Sequence, residues 1–248
     1  MKIEPIAEQY LDLLHKYDSP TVSNVIELFG LRPRSVGFAD GRIRAVLSDM
    51  PTVVGYATTA TYRTAQPSDS DRGYGVADWV ERYEAEIPRP RVLAVEDLDD
   101  KICAASFGEV MCASHQRFGC VALVTSGAVR DLDQIREKRF PLFASGVNPS
   151  HAYCHLVDIH VPVTVGGLRI EPGDLLHADG NGVVSVPNSI APQVALCCER
   201  IVEAEAEVLG YVEHSQTPTP SGLREAFQRM RKEFARVAKE VQQEMRSR

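Results

Sequence analysis

Apolar residues recur along this chain with two periods. Over residues 5–17, Ile6, Tyr10, Leu13 and Tyr17 stand three or four apart, as on one helix face. Ser19-Pro20 then reads as an N-cap and first-turn proline, opening a helix that Gly30 ends. Residues 43–47 and 53–62 read as strands; Val53-Val54-Gly55-Tyr56-Ala57-Thr58 is β-branched and nearly alternating. Residues 66–75 are a polar loop, after which Val76, Trp79, Val80 and Tyr83 form one helix face. Residues 91–95 form a buried strand, 109–118 a helix closed by Gly119, and 120–125 a second buried strand. Strand, helix and strand at this spacing make a βαβ unit, with parallel pairing and a right-handed crossover.

The following third changes period. Residues 161–165 meet 168–170 across Gly166-Gly167, a two-residue hairpin signal. Pro172-Gly173-Asp174 is a turn, and 175–178 and 183–186 flank the turn Asp179-Gly180-Asn181-Gly182. This block is expected to be antiparallel. A long helix over 190–209 should stop at Gly210, and Thr217-Pro218-Thr219-Pro220 reads as a linker. Leu223, Phe227, Met230, Phe234, Val237 and Val241 then form a heptad stripe, expected to pack on its own domain or on a neighbouring subunit.

With 248 residues, 44% hydrophobic and 25% charged, the chain is globular in composition. The net charge of −7 disfavours a phosphate backbone as partner, so no nucleic-acid role is expected. Residues 211–248 are the exception, with eight Lys/Arg against five Glu. No apolar run reaches a membrane span, and Met1-Lys2-Ile3-Glu4-Pro5 lacks a signal-peptide core, so a cytoplasmic protein is expected. The six cysteines contain no Cys-x-x-Cys and read as reduced core thiols.

The lysines and histidines carry little chemistry. None of the six lysines sits in an apolar strand, where desolvation would favour an imine. His151, His155 and His160 lie close together, but Pro149 and Pro162 argue against the regular helix a zinc pair would use. Nucleophile-elbow, phosphate-loop and dinucleotide glycine patterns are absent.

The βαβ unit is more informative. Phe107-Gly108-Glu109-Val110-Met111 begins a helix, whose free N–H groups favour an anion, and Gly108 allows close approach. Arg130-Asp131 lies just past the next strand, where parallel sheets place ligands. Asp131 can hold a hard divalent cation with waters retained, and Arg130 can grip a 2-oxo acid through its planar fork. Taken alone, the pair reads first as a surface salt bridge.

Gly108-Glu109, twenty residues, then Arg130-Asp131, with Gly127-Ala128-Val129 ahead of the pair, resembles the RraA-like family. So do residues 140–146, Val165-Gly166-Gly167 with Pro172-Gly173-Asp174, and residues 178–187. The resemblance runs from about residue 18 to about 209. That family includes 4-hydroxy-4-methyl-2-oxoglutarate / 4-carboxy-4-hydroxy-2-oxoadipate aldolases and regulators of ribonuclease E.

The resemblance implies an α/β/β/α sandwich holding the βαβ unit and the antiparallel block. It implies a catalytic domain over 1–210, a linker and amphipathic helix over 211–248, and a homotrimer or dimer of trimers. Asp131 would ligate Mg²⁺ or Mn²⁺, and Arg130 would bind the pyruvyl part of a 2-oxo acid substrate. The amides of Val110 and Met111, beside Gly108, would hold its carboxylate, and Glu109 would be the second acid. Glu203 from a neighbouring subunit is a candidate for completing the metal site, and Arg63 and Arg72 for the distal end of the substrate. Two departures from the family pattern stand out: Gln134, where an acid is common, and Asp179-Gly180-Asn181-Gly182, where the family has Asp-x-Asp-Gly. The activity implied is metal-dependent cleavage of 4-hydroxy-2-oxo-dicarboxylates to pyruvate and a second oxo acid, with oxaloacetate decarboxylation beside it. The alternative is a non-catalytic regulator that inhibits a ribonuclease or another protein.

Overall fold

Two strands with continuous apolar runs, Val92–Val95 within Arg91–Asp97 and Cys120–Val124 within Cys120–Thr125, mark the middle of the sheet, because parallel strands covered on both faces need no polar side. The computed structural model of the chain describes residues 3–68 and 73–247. From the N-terminus these include α1 (Glu8–Leu14), α2 (Ser19–Phe29), β1 (Arg44–Ala45), β2 (Val53–Arg63), α3 (Val76–Glu86) and β3 (Arg91–Asp97). There follow β4 (Ala105–Phe107), α4 (Glu109–Arg117), β5 (Cys120–Thr125), β6 (Ala128–Val129), α5 (Leu132–Glu137), β7 (Leu142–Ala144) and β8 (Gly146–Val147). The rest are β9 (His155–Ile159), β10 (Val163–Val165), β11 (Leu168–Ile170), β12 (Leu175–Asp179), β13 (Gly182–Val186), α6 (Ala191–His214) and α7 (Pro220–Arg246). They fall into two compact units: residues up to Ile6 with Gly37–Asn188, and Ala7–Val36 with Ser189 onward.

The first unit is mixed α/β. Its main sheet runs β1-β7-β5-β3-β2-β12-β13, with β9 also paired to β2. The predicted βαβ unit is present: β3 and β5 pair in parallel, and the antiparallel block follows as β12 against β13 and β2. Side chains alternate across the strands. Val92, Ala94, Ala122 and Val124 face the β10–β11 hairpin, whose Val163, Val165, Leu168 and Ile170 complete one apolar core. On β2, Thr58 accepts a 2.8 Å hydrogen bond from the indole of Trp79 on α3, which seats that helix. A small parallel sheet, β4-β6-β8, stands apart from the main one and positions the candidate site.

The second unit is helical. Asp18, not Ser19, caps α2: its carboxylate accepts from the Thr21 N–H at 2.9 Å, leaving Ser19 and Pro20 inside the first turn. Gly30 ends that helix at φ 66°, as expected. The expectation that Gly210 stops the long helix fails, since α6 continues to His214. The reason is Tyr211, whose hydroxyl donates to the Thr219 carbonyl at 3.0 Å and accepts from the Thr219 N–H at 2.7 Å. That tie repays the roughly 1 kcal/mol a mid-helix glycine costs. Thr219 and Pro220 are therefore cap and first residue of α7 rather than linker, with Gly222 N–H donating to Thr219 Oγ1 at 3.1 Å. A Cβ on Gly222 would sit 2.3 Å from the Tyr211 hydroxyl, so glycine is needed there. The heptad stripe is buried at Val237 and Val241 but 37% exposed at Leu223 and Phe227. No helix among the described residues is long and apolar enough to cross a membrane.

Candidate active site

β4 and β6 are adjacent and parallel, with Ala105 opposite Ala128 and Phe107 opposite Val129. Both strands end at the same level, so the turn into α4 and the turn into α5 emerge side by side. The Arg130 N–H donates to the Phe107 carbonyl at 2.9 Å, closing the gap. This brings Gly108-Glu109 and Arg130-Asp131, far apart in sequence, to one sheet edge.

Asp131 occupies the left-handed region, at φ 59°, as N-cap of α5. Aspartate tolerates this conformation better than most residues. It turns the carboxylate back across the first turn of α4, where Oδ2 accepts from the Glu109 N–H at 2.9 Å. Arg130 Nε stands 3.6 Å from the same oxygen, and both side chains are about one-third exposed. The salt-bridge reading of the pair is thus partly met, but not as a closed pair. Asp131 Oδ1 accepts no hydrogen bond among the described residues.

Gly108 makes this packing possible. A Cβ there would lie 2.3 Å from Asp131 Oδ2 and 2.9 Å from Arg130 Nε. The backbone at Gly108 is ordinary extended chain, so space rather than conformation requires glycine. The N–H groups of Val110 and Met111, in the first turn of α4, have no intrahelical acceptor.

Beside this edge lies a cavity of about 470 Å³, within the usual range for small-molecule sites. Gly108, Met111 and Arg130 line one side, and His151, Cys154 and His155 another. Asp131, Glu109 and Val110 do not line it. Glu109 instead holds Lys138 in a 3.1 Å ion pair, and Val110 is 77% exposed. The predicted residues therefore share one edge, but only three reach the cavity. Burial pushes the Cys154 thiol up to about 11, so it stays protonated near neutrality. His155 Nδ1 is 2.8 Å from the Tyr153 carbonyl, and His160 pairs with Glu86 at 2.9 Å, away from the other two histidines. Arg63 is not on the cavity wall but is bound to Asp99 at 3.2 Å, while Arg72 lies outside the described residues. Glu203 belongs to α6, in the helical unit.

A larger surface hollow of about 840 Å³, along α3, contains neither Gly108 nor Arg130 and is lined by Asp78, Glu81 and Glu86. Its acidic wall does not suit an anionic ligand. Among the described residues, no three His, Cys, Asp or Glu side chains gather to cage a metal.

A family model described as "RraA-like: Aldolase/RraA" matches residues 21–185, well over half of the chain. The chain belongs to the RraA-like family. A Halalkalibacterium halodurans relative named "Putative 4-hydroxy-4-methyl-2-oxoglutarate aldolase" is 30% identical over 142 residues, covering 57% of this chain and 62% of that protein. Protein DlpA of Legionella pneumophila is 25% identical over 60% of this chain but only 23% of its own length. This chain thus matches less than two thirds of either relative. The crystal structure of Streptomyces coelicolor RraAS2, described as "an unusual member of the RNase ES inhibitor RraA protein family", superposes with a TM-score of 0.67 at 24% identity. It covers 82% of this chain and 97% of that one, which establishes a shared fold. This RraA-like chain thus has a relative named as a putative aldolase and shares its fold with a protein described as an unusual member of a ribonuclease-inhibitor family.

The sequence reading of the RraA-like site missed Lys138, the partner of Glu109, and the two hydroxyls on the cavity wall, Tyr62 and Ser106. All three look like ordinary helix-end or strand residues in the sequence, which holds no signal for them.

Proposed function

We propose that this protein is a divalent-metal-dependent lyase that cleaves 4-hydroxy-2-oxo-dicarboxylates to pyruvate and a second oxo acid, and decarboxylates oxaloacetate as a side activity. The observation that carries this reading is the convergence of Arg130 and Asp131 on the start of α4, beside a cavity that Arg130 lines. The partly exposed Asp131 carboxylate, with Oδ1 accepting no hydrogen bond among the described residues, suits Mg²⁺ or Mn²⁺. Mg²⁺ in particular is often held by one or two carboxylates and keeps several waters, so no protein cage is required. When bound, such a cation supplies Lewis-acid polarisation of the 2-oxo group.

The chain's own groups do the rest. Val110 and Met111 N–H groups receive the substrate carboxylate at the positive end of α4. The Arg130 guanidinium, on the cavity wall, binds the 2-oxo acid end in its planar fork and stabilises the negative charge that builds as the C3–C4 bond breaks. Gly108 keeps this wall free of side chain. Glu109, steadied by Lys138, is the second acid and orders water at the mouth. The assembly read from the resemblance is a homotrimer or dimer of trimers, with Glu203 of an adjacent copy approaching the site.

The test is pyruvate release from oxaloacetate and from 4-hydroxy-4-methyl-2-oxoglutarate, with Mg²⁺ or Mn²⁺ and with EDTA. Turnover abolished by chelation and restored by metal is expected. Its absence on all such substrates with both metals overturns the reading and leaves the regulator alternative.

A further inference from the structure

The cavity beside Gly108 has polar groups that the chemistry above does not use. Tyr62 and Ser106 line it, they are only 3% and 5% exposed, and neither hydroxyl has a hydrogen-bond partner among the described residues. Buried polar groups are nearly always paired, because an unmet donor is destabilising. Two unmet hydroxyls on one cavity wall mark a place where the partner arrives from outside.

The geometry relates them to the reacting end. Ser106 lies two residues before Gly108, at the register shift between β4 and β6, and both residues line the cavity. A ligand seated at Gly108 and Arg130 thus shares one cavity with Ser106 and Tyr62. Tyr62, near the end of β2, is held by an edge-to-face contact with Phe107, ring centroids 5.7 Å apart. Burial keeps its phenol protonated, well above the ordinary range, so it can donate.

The wall also selects charge. Among the described residues, Arg130, His151 and His155 line this cavity and no Asp or Glu does. Asp97 Oδ2 approaches the same glycine, Gly127, as Ser106 Oγ, but Asp97 is not among the residues that line the wall.

We propose that Tyr62 and Ser106 form the subsite for the distal carboxylate of a 2-oxo diacid held by its other end at Gly108 and Arg130, and that they set the preference for diacids over monoacids. This rests on the function proposed above.

Titration calorimetry on the full chain with Mg²⁺ tests it, using 2-oxoglutarate, 2-oxopentanoate (the same length with a methyl in place of the distal carboxylate) and pyruvate. The wild type should bind 2-oxoglutarate about tenfold or more tighter than 2-oxopentanoate, and Tyr62→Phe and Ser106→Ala should each cut that ratio about tenfold with pyruvate affinity unchanged. Because these hydroxyls bind nothing within the described protein, both variants should keep the wild-type melting temperature. A wild-type ratio near one, an unchanged ratio in both variants, or an equal loss for pyruvate overturns the subsite. Turnover assayed in parallel separates the two ideas. A shifted ratio without lyase activity supports the subsite and removes the lyase, whereas lyase activity with an unshifted ratio removes the subsite alone.

Discussion

Replacing Gly108 with alanine adds one methyl group at the most crowded point of the candidate site. The added Cβ would stand 2.3 Å from Asp131 Oδ2, 2.9 Å from Arg130 Nε and 3.0 Å from Arg130 Cγ. Ordinary contact begins at 3.4 Å, so the carboxylate must retreat by about 1 Å and the guanidinium by about half that. A retreat of that size lengthens the 2.9 Å hydrogen bond from the Glu109 N–H beyond its useful range. Both obstructing side chains are about one-third exposed and free to swing, and φ −140° at this position is open to alanine. Stability should therefore change by no more than about 1 kcal/mol, in either direction. Activity is another matter: a misplacement of about 1 Å in a positioned group costs about 100-fold, or about 2.7 kcal/mol of barrier. The assay is pyruvate release from oxaloacetate with Mg²⁺, coupled to NADH oxidation, alongside a thermal melt. Gly146→Ala is the control, since a Cβ there meets nothing within 4 Å. Wild-type turnover in Gly108→Ala with an unchanged melt would refute the assignment of Arg130 and Asp131 to the chemistry. Loss of activity through unfolding would refute the claim that the strain is local.

Asp131→Asn keeps a residue that accepts the left-handed φ of 59° and removes only the charge. Metal-dependent turnover should fall about 100-fold or more with the melting temperature nearly constant, as read by activity against Mg²⁺ concentration. His115 is fully buried and burial pulls its pKa down to about 4, so the folded protein keeps it neutral while the unfolded chain protonates near 6.5. Protons then favour the unfolded state, and between pH 6.5 and 4 the wild type should lose up to about 3 kcal/mol that His115→Gln does not lose, measured by urea melts across that window. On α7, Val237→Ala should cost about 2 kcal/mol while Leu223→Ala costs well under 1, because the first side chain is fully buried and the second is 37% exposed. Equal losses in paired denaturation curves would show that the two ends of the stripe are packed alike.

Much of the architecture is decided by local rules that a sequence carries openly. Apolar runs at β3 and β5 require burial on both faces, and the helix between them forces a parallel crossover. Gly166-Gly167 adopts positive φ at both residues and makes the hairpin its position predicts. Gly108-Glu109 and Arg130-Asp131 were recognisable as a spaced pair, because helix starts and strand ends leave local signatures.

What the chain alone did not determine was every feature that depends on a partner distant in sequence. Gly210 reads as a stop signal, yet a tyrosine one residue later, bound to Thr219, carries the helix through it. Glu109 reads as a free acid until Lys138 arrives beside it. Tyr62 and Ser106 read as core strand residues, and only the closing of β2 and β4 around one cavity leaves their buried hydroxyls without a partner among the described residues. Local propensity is written in neighbouring residues, whereas burial and unmet hydrogen bonds come into existence only when separate segments meet.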